Sequence, residues 1–118
     1  MTDHWTENES NLSEKTKNIT RGLKTLMEEV EATMYYQQRV DVTDNIELKE
    51  IMAHNRDEEI EHACMTLEWL RRNMDGWDKE LRTYLFTEGS LLDVEDRAES
   101  SGDNKTDSGE SLNIGDLK

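Results

Sequence analysis

The sequence predicts an all-α protein: an antiparallel two-helix hairpin, a short third helix and a disordered C-terminal tail. Three observations predict it. None of the 118 residues is proline, and most of the six glycines lie outside the periodic segments, so little interrupts long helices. Apolar residues recur at about 100° per residue over two long stretches, the helical rather than the strand period. Beyond Gly89 that periodicity gives way to Ser, Gly, Asn and acidic residues.

Residues 1–10 are polar and read as a disordered N terminus. Asn11, with Glu14 three residues on, resembles a capping box and opens the first helix. Its apolar row is Leu12, Ile19, Leu23, Leu26, Met27, Val30 and Met34, and it ends near Val40. "DVTDN" makes a short turn, with Asp44 and Glu47 as a second cap signal. The second helix spans about residues 45–74. One face carries Leu48, Ile51, Met52, Met65, Thr66, Trp69 and Leu70; the other carries Ala53, Ile60, Cys64 and Leu67. A helix apolar on two sides should be covered by more than its hairpin partner. Met65, Trp69 and the lone Cys64 are expected as core residues. Gly76 stops this helix, and Trp77, Leu81, Tyr84 and Leu85 mark a third, closed by Gly89.

The helical domain is thus expected over residues 11–89. Residues 89–118 hold eight acids against three bases, so 90–110 reads as a disordered acidic linker. The last eight residues, "SLNIGDLK", break that composition. Leu112, Ile114 and Leu117 form an apolar island with no core to join, the form of a short motif that docks in a groove on another protein.

Only 33% of the chain is hydrophobic, a thin core for a lone domain of this size, which points to burial by oligomerisation. The net charge of −14 argues against nucleic acid and anionic membranes and favours cations or a basic partner. A single cysteine excludes an internal disulfide, and no apolar leader or span is seen, so the chain reads as cytosolic.

The informative stretch is "NRDEEIEHACMTLEWLRR", residues 55–72, which sets carboxylates and an imidazole where an apolar stripe should continue. His54, Glu58 and Glu61 stand at i, i+4, i+7 and form one row; Glu59 and His62, at i, i+3, form another. A buried carboxylate without a partner is costly, and a bound cation removes that cost. Carboxylate with imidazole suits iron, manganese or zinc. Glu-x-x-His on a helix is the ligand pair of di-iron carboxylate bundles, which take a Glu from each of two helices and Glu-x-x-His from each of two others. This chain supplies one of each. On the first helix Glu29 and Tyr36 share one flank; Glu28, Glu31 and Tyr35 share the other. Two copies, each giving Glu29, Glu59 and His62, would complete one site, so a di-iron reading requires at least a dimer.

These residues also carry a resemblance. "MEEVEATMYYQQRVD", "AHNRDEEIEHACMTLEWLRRN" and "LRTYLFTEG" closely resemble the encapsulated ferritins over about residues 20–89. "LNIGDLK" looks like the peptide that loads cargo into encapsulin shells. The resemblance implies a half-ferritin that dimerises into a ferritin-like four-helix bundle and closes into a ring of dimers, typically a decamer. It implies a ferroxidase, with two iron ions (Fe2+/Fe3+) per dimer on Glu29, Glu59 and His62 and with Tyr36 close by. It implies a metal-uptake site at Glu28 and Glu31 flanked by Tyr35, where relatives are expected to have tryptophan. A peripheral site for a cation such as Ca2+ is implied at His54, Glu58 and Glu61. Residues 111–118 are implied to bind the encapsulin shell, through Leu112, Ile114, Gly115 and Leu117, and so to place the enzyme inside the nanocompartment. Two rival readings use the same residues: an acidic oligomerisation module with structural Ca2+, and a di-manganese or rubrerythrin-like peroxidase. A nitrogen ligand from His62 is unexpected in a calcium site.

Overall fold

The structure is a computed structural model that describes residues 5–105. Among those residues the chain is all-helical, as its periodicity predicts. The docking motif with Leu112, Ile114, Gly115 and Leu117 lies outside the described residues. The chain divides into two compact units, Met1–Met74 and Asp75–Lys118.

In the first unit a 3-10 turn (Glu9–Asn11) precedes two long helices, α1 (Glu14–Val42) and α2 (Ile46–Asn73), which pack together as a hairpin. At 29 and 28 residues, each is about 42 Å long at 1.5 Å per residue. Both helices start later than expected. Asn11 is held in the 3-10 turn, its N–H donating to the Asn8 carbonyl at 2.9 Å, so Ser13 caps α1 by accepting from the Thr16 N–H at 3.0 Å. Asn45 rather than Asp44 caps α2, accepting from the Leu48 N–H at 2.9 Å. That register leaves Glu47 in the first turn, where the helix dipole favours a negative charge.

The seam between α1 and α2 is narrow. Leu70 is its one fully buried side chain among the described residues. Gly22 permits close approach: a Cβ there would stand 2.9 Å from Cζ3 of Trp69. Shallow grooves run on both sides of the seam. One is lined by Gly22, Thr25, Met65, Thr66 and Trp69 among others, the second by Leu26, Val30, Ile60, Cys64 and Leu67 among others. The expectation that Met65, Trp69 and Cys64 are core residues therefore fails for the single chain. Met65 is 64% and Trp69 39% exposed, and Cys64 is exposed as well. Both apolar sides of α2 exist as predicted, and one helix cannot cover both.

Near the end of α2, Glu68 accepts two bonds from Arg71, each 2.8 Å, and one of 2.7 Å from Arg72. These guanidinium bonds hold the Glu68 carboxyl down at about 2, against an ordinary 4.5. A depressed folded pKa contributes stability above the unfolded pKa, and that contribution is lost as pH falls through the folded one. Between pH 4.5 and about 2 the native chain is therefore expected to lose this contribution. Glu68→Gln should show a shallower loss of thermal stability across that interval in pH-dependent melts. The effect is small and shrinks in salt, because the pair faces water.

In the second unit α3 (Trp77–Tyr84) packs on α4 (Leu91–Lys105). Gly76 and Gly89 take positive φ, 102° and 86°, at the starts of the segments leading into these helices. Helix α4 corrects the reading of residues 90–110 as a disordered linker: over Leu91–Lys105 the chain is helical. Its acidic composition conceals a helical signal. The Ser90 hydroxyl accepts from the Asp93 N–H at 3.4 Å, and Leu91, Val94 and Ala98 follow at i, i+3, i+7. Val94 is buried, at 5% exposure. Tyr84 is held above its ordinary pKa of 10.0 by burial and by the nearby charges of Glu95, Glu80 and Glu99.

Candidate metal centre

Every predicted ligand except those of the docking motif falls on α1 or α2. Glu29 follows Gly22 and Thr25 by seven and four residues along α1, so it lies on the side of the seam that carries the Trp69 groove. Its carbonyl accepts from the Thr33 hydroxyl at 2.9 Å. Its carboxylate oxygen Oε1 is buried and has no hydrogen-bond partner. Such an atom forgoes its water without recovering a bond, which costs on the order of 1–3 kcal/mol or more. It is the buried side-chain oxygen left in this condition among the described residues.

On α2, Glu59 is half-buried, and its Oε1 stands 3.9 Å from His62 Nδ1. The other imidazole nitrogen, Nε2, stands 3.7 Å from Glu58 Oε1. Glu58 Oε2 in turn stands 3.9 Å from His54 Nε2. None of these separations is a hydrogen bond. The nitrogens face carboxylates without being committed to them, which suits groups that share a cation. The pairing of Glu59 with His62 and of Glu58 with His54 agrees with the two predicted rows. What the wheel missed is that Glu58 also faces His62, so the rows are joined through one carboxylate. The i, i+4 spacing of Glu58 and His62 carried that information.

On the other flank of α1 the Tyr35 hydroxyl donates to Glu31 Oε2 at 3.1 Å. This bond, with the Glu31 charge behind it, raises the phenol pKa above its ordinary 10.0. The Arg39 guanidinium lies over the Tyr35 ring, 5.9 Å from its centroid, and over the Tyr36 ring at 5.4 Å. Helical spacing, i, i+3 and i, i+4, places Arg39 beside both tyrosines, although nothing in the sequence pattern alone gives it a role. Glu28 and Glu61 are exposed, and their carboxylates make no hydrogen bond or ion pair among the described residues.

Within one chain these groups do not close a cage. Among the described residues no three His, Cys, Asp or Glu side chains gather as a metal site. The donors on α2 are paired, the donor on α1 is orphaned, and Fe(II) or another borderline divalent cation suits the carboxylate and imidazole set. No helix among the described residues is long and apolar enough to cross a membrane.

Known proteins are similar to this chain over most of its length. The family profile described as EncFtn-like matches residues 4–88. A ferritin-like protein of Thermotoga maritima is 47% identical over 104 residues, 88% of this chain and 91% of that protein. An encapsulated ferritin-like protein of Rhodospirillum rubrum is 50% identical over 116 residues, 91% of this chain and 82% of that protein. A crystal structure of a protein from Nitrosomonas europaea, 48% identical, superposes with a TM-score of 0.72 over 74% of this chain and 96% of that one. The helical hairpin with its paired Glu59 and His62 and its orphaned Glu29 thus belongs to the EncFtn-like family, the encapsulated ferritins.

Proposed function

We propose that this protein is a ferroxidase, oxidising Fe(II) to Fe(III) at a di-iron site shared by two chains inside an encapsulin shell. The observation that carries the reading is the buried Glu29 oxygen without a partner, on the hairpin that also presents Glu59 beside His62. Two copies of these residues supply the four carboxylates and two imidazoles of a di-iron carboxylate site. Fe(II) is the substrate. Glu29 and Glu59 bridge and charge-balance the two ions, His62 gives each a neutral nitrogen, and Tyr36 flanks them. The surrounding negative charge favours the Fe(III) product. Two Fe(II) release two electrons, which dioxygen accepts with two protons to leave as hydrogen peroxide, or which hydrogen peroxide accepts with two protons to leave as two waters.

Glu28 and Glu31, beside Tyr35, serve as an uptake site that concentrates Fe(II) by charge. His54, Glu58 and Glu61 hold a peripheral cation such as Ca2+. Glu58 lies between the two places, 3.9 Å from His54 and 3.7 Å from His62. The reading is tested by adding Fe(II) without oxygen and then admitting air: ferric absorbance should grow much faster than in buffer. Growth at the buffer rate would remove the ferroxidase assignment.

The terminal motif is the proposed handle for the shell. Deleting residues 110–118 should leave the oxidation rate unchanged and abolish co-purification with encapsulin. Loading that survives the deletion would remove that role from Leu112, Ile114, Gly115 and Leu117.

A further inference from the structure

In a chain with 28 acidic and 14 basic residues, the guanidinium of Arg39 makes no ion pair among the described residues. It lies instead over two consecutive rings, Tyr35 and Tyr36, at 5.9 and 5.4 Å. Its backbone is pinned as well. The Arg39 carbonyl accepts from both the N–H and the hydroxyl of Thr43, which close the last turn of α1. Consecutive residues of a helix point about 100° apart. One guanidinium within 6 Å of both ring centroids therefore bridges two flanks that the helix itself keeps separate. One flank leads through the Tyr35 hydroxyl to Glu31 at 3.1 Å; the other holds Tyr36 and, two turns back, Glu29.

We propose that Arg39 is a positioning residue for metal capture, a clasp that fixes Tyr35 against Tyr36 and, through the Tyr35 hydroxyl, orients the Glu31 carboxylate for the incoming cation. The inference rests on Glu28 and Glu31 as the uptake site. Its chemistry is that of an outer shell: a carboxylate that accepts a bond from a fixed donor presents its remaining lone pairs in one direction. Lysine cannot replace the clasp, because an ammonium is a point charge and cannot lie flat against two rings.

The test uses the full chain and Zn2+, which binds such ligands without redox chemistry, followed by calorimetry. Glu31→Gln defines the binding step that belongs to the uptake site. In that step Tyr35→Phe is expected to weaken Zn2+ about tenfold, within the range for losing a ligand's orienting partner. Arg39→Lys, with its charge kept, is expected to weaken it several-fold. The double variant should bind no more weakly than Tyr35→Phe alone, because the clasp acts through the hydroxyl. In Fe(II) oxidation both single variants should raise KM and leave kcat little changed. Wild-type affinity in Arg39→Lys, or losses that multiply in the double variant, would overturn the clasp and leave the uptake site standing. A titration that Glu31→Gln does not alter would overturn both, and would do so at the site itself.

Discussion

Glu59→Ala is expected to lower the rate of Fe(II) oxidation by about 100-fold or more while leaving the helical hairpin folded. Removing even an outer-shell partner of a metal ligand costs about 10–100-fold, and Glu59 is proposed as a direct ligand contributed twice to each site. The fold should tolerate the change. Among the described residues the ion-pair neighbour of Glu59 is His62, at 3.9 Å on its own helix, and alanine is the best helix former. Ferric absorbance after anaerobic loading, with circular dichroism beside it, separates the two effects. Equal oxidation in Glu59→Ala and the unsubstituted chain would end the di-iron reading. A matched loss in His62→Ala, with Glu61→Ala close to unsubstituted, would assign the effect to the Glu59 row rather than to acidity in general.

The second large effect concerns assembly. Mass measurements without oxygen should show Fe(II) moving chains from smaller species into dimers or rings, because one chain gathers no three ligands among its described residues. A ligand that binds only the assembled form stabilises it by about 2.7 kcal/mol at one hundred times its dissociation constant. Met65→Asp is the variant of choice. Met65 is 64% exposed on the single chain, so the hairpin does not need it, and it stands one turn from His62. A charge there should cost both the assembled species and the oxidation together. A lone chain that oxidises iron at the full rate would contradict the shared site.

Much of this is legible in the sequence. The rows of Glu59 with His62 and Glu58 with His54 follow from helical spacing alone, and the structure brings those pairs within 4 Å. So does the flank that joins Tyr35 to Glu31. The cap residues were misplaced by one or two positions, because several capping side chains compete in "NLS" and "DN" and the winner depends on where the preceding turn ends. Helix α4 was missed for a different reason. Its charge and small residues dominate composition, whereas its order rests on a few apolar positions and a serine cap. Arg39 was invisible as a partner because aromatic rings do not register as charge acceptors when spacing is read for ion pairs. The burial of Glu29 Oε1 depends on how closely α1 approaches α2, which no single-helix wheel contains.

Leu70 and Val94 are the buried apolar side chains among the described residues. A chain this lightly buried carries little folding free energy of its own, so whatever covers its open sides sets its stability. On the proposed assembly, melting temperature is expected to become a function of dose, rising with the logarithm of chain concentration and with any cation that favours the covered form. Chains made faster than they find one another, or faster than metal arrives, expose Met27, Val30 and Met34 to proteases and holdases for longer.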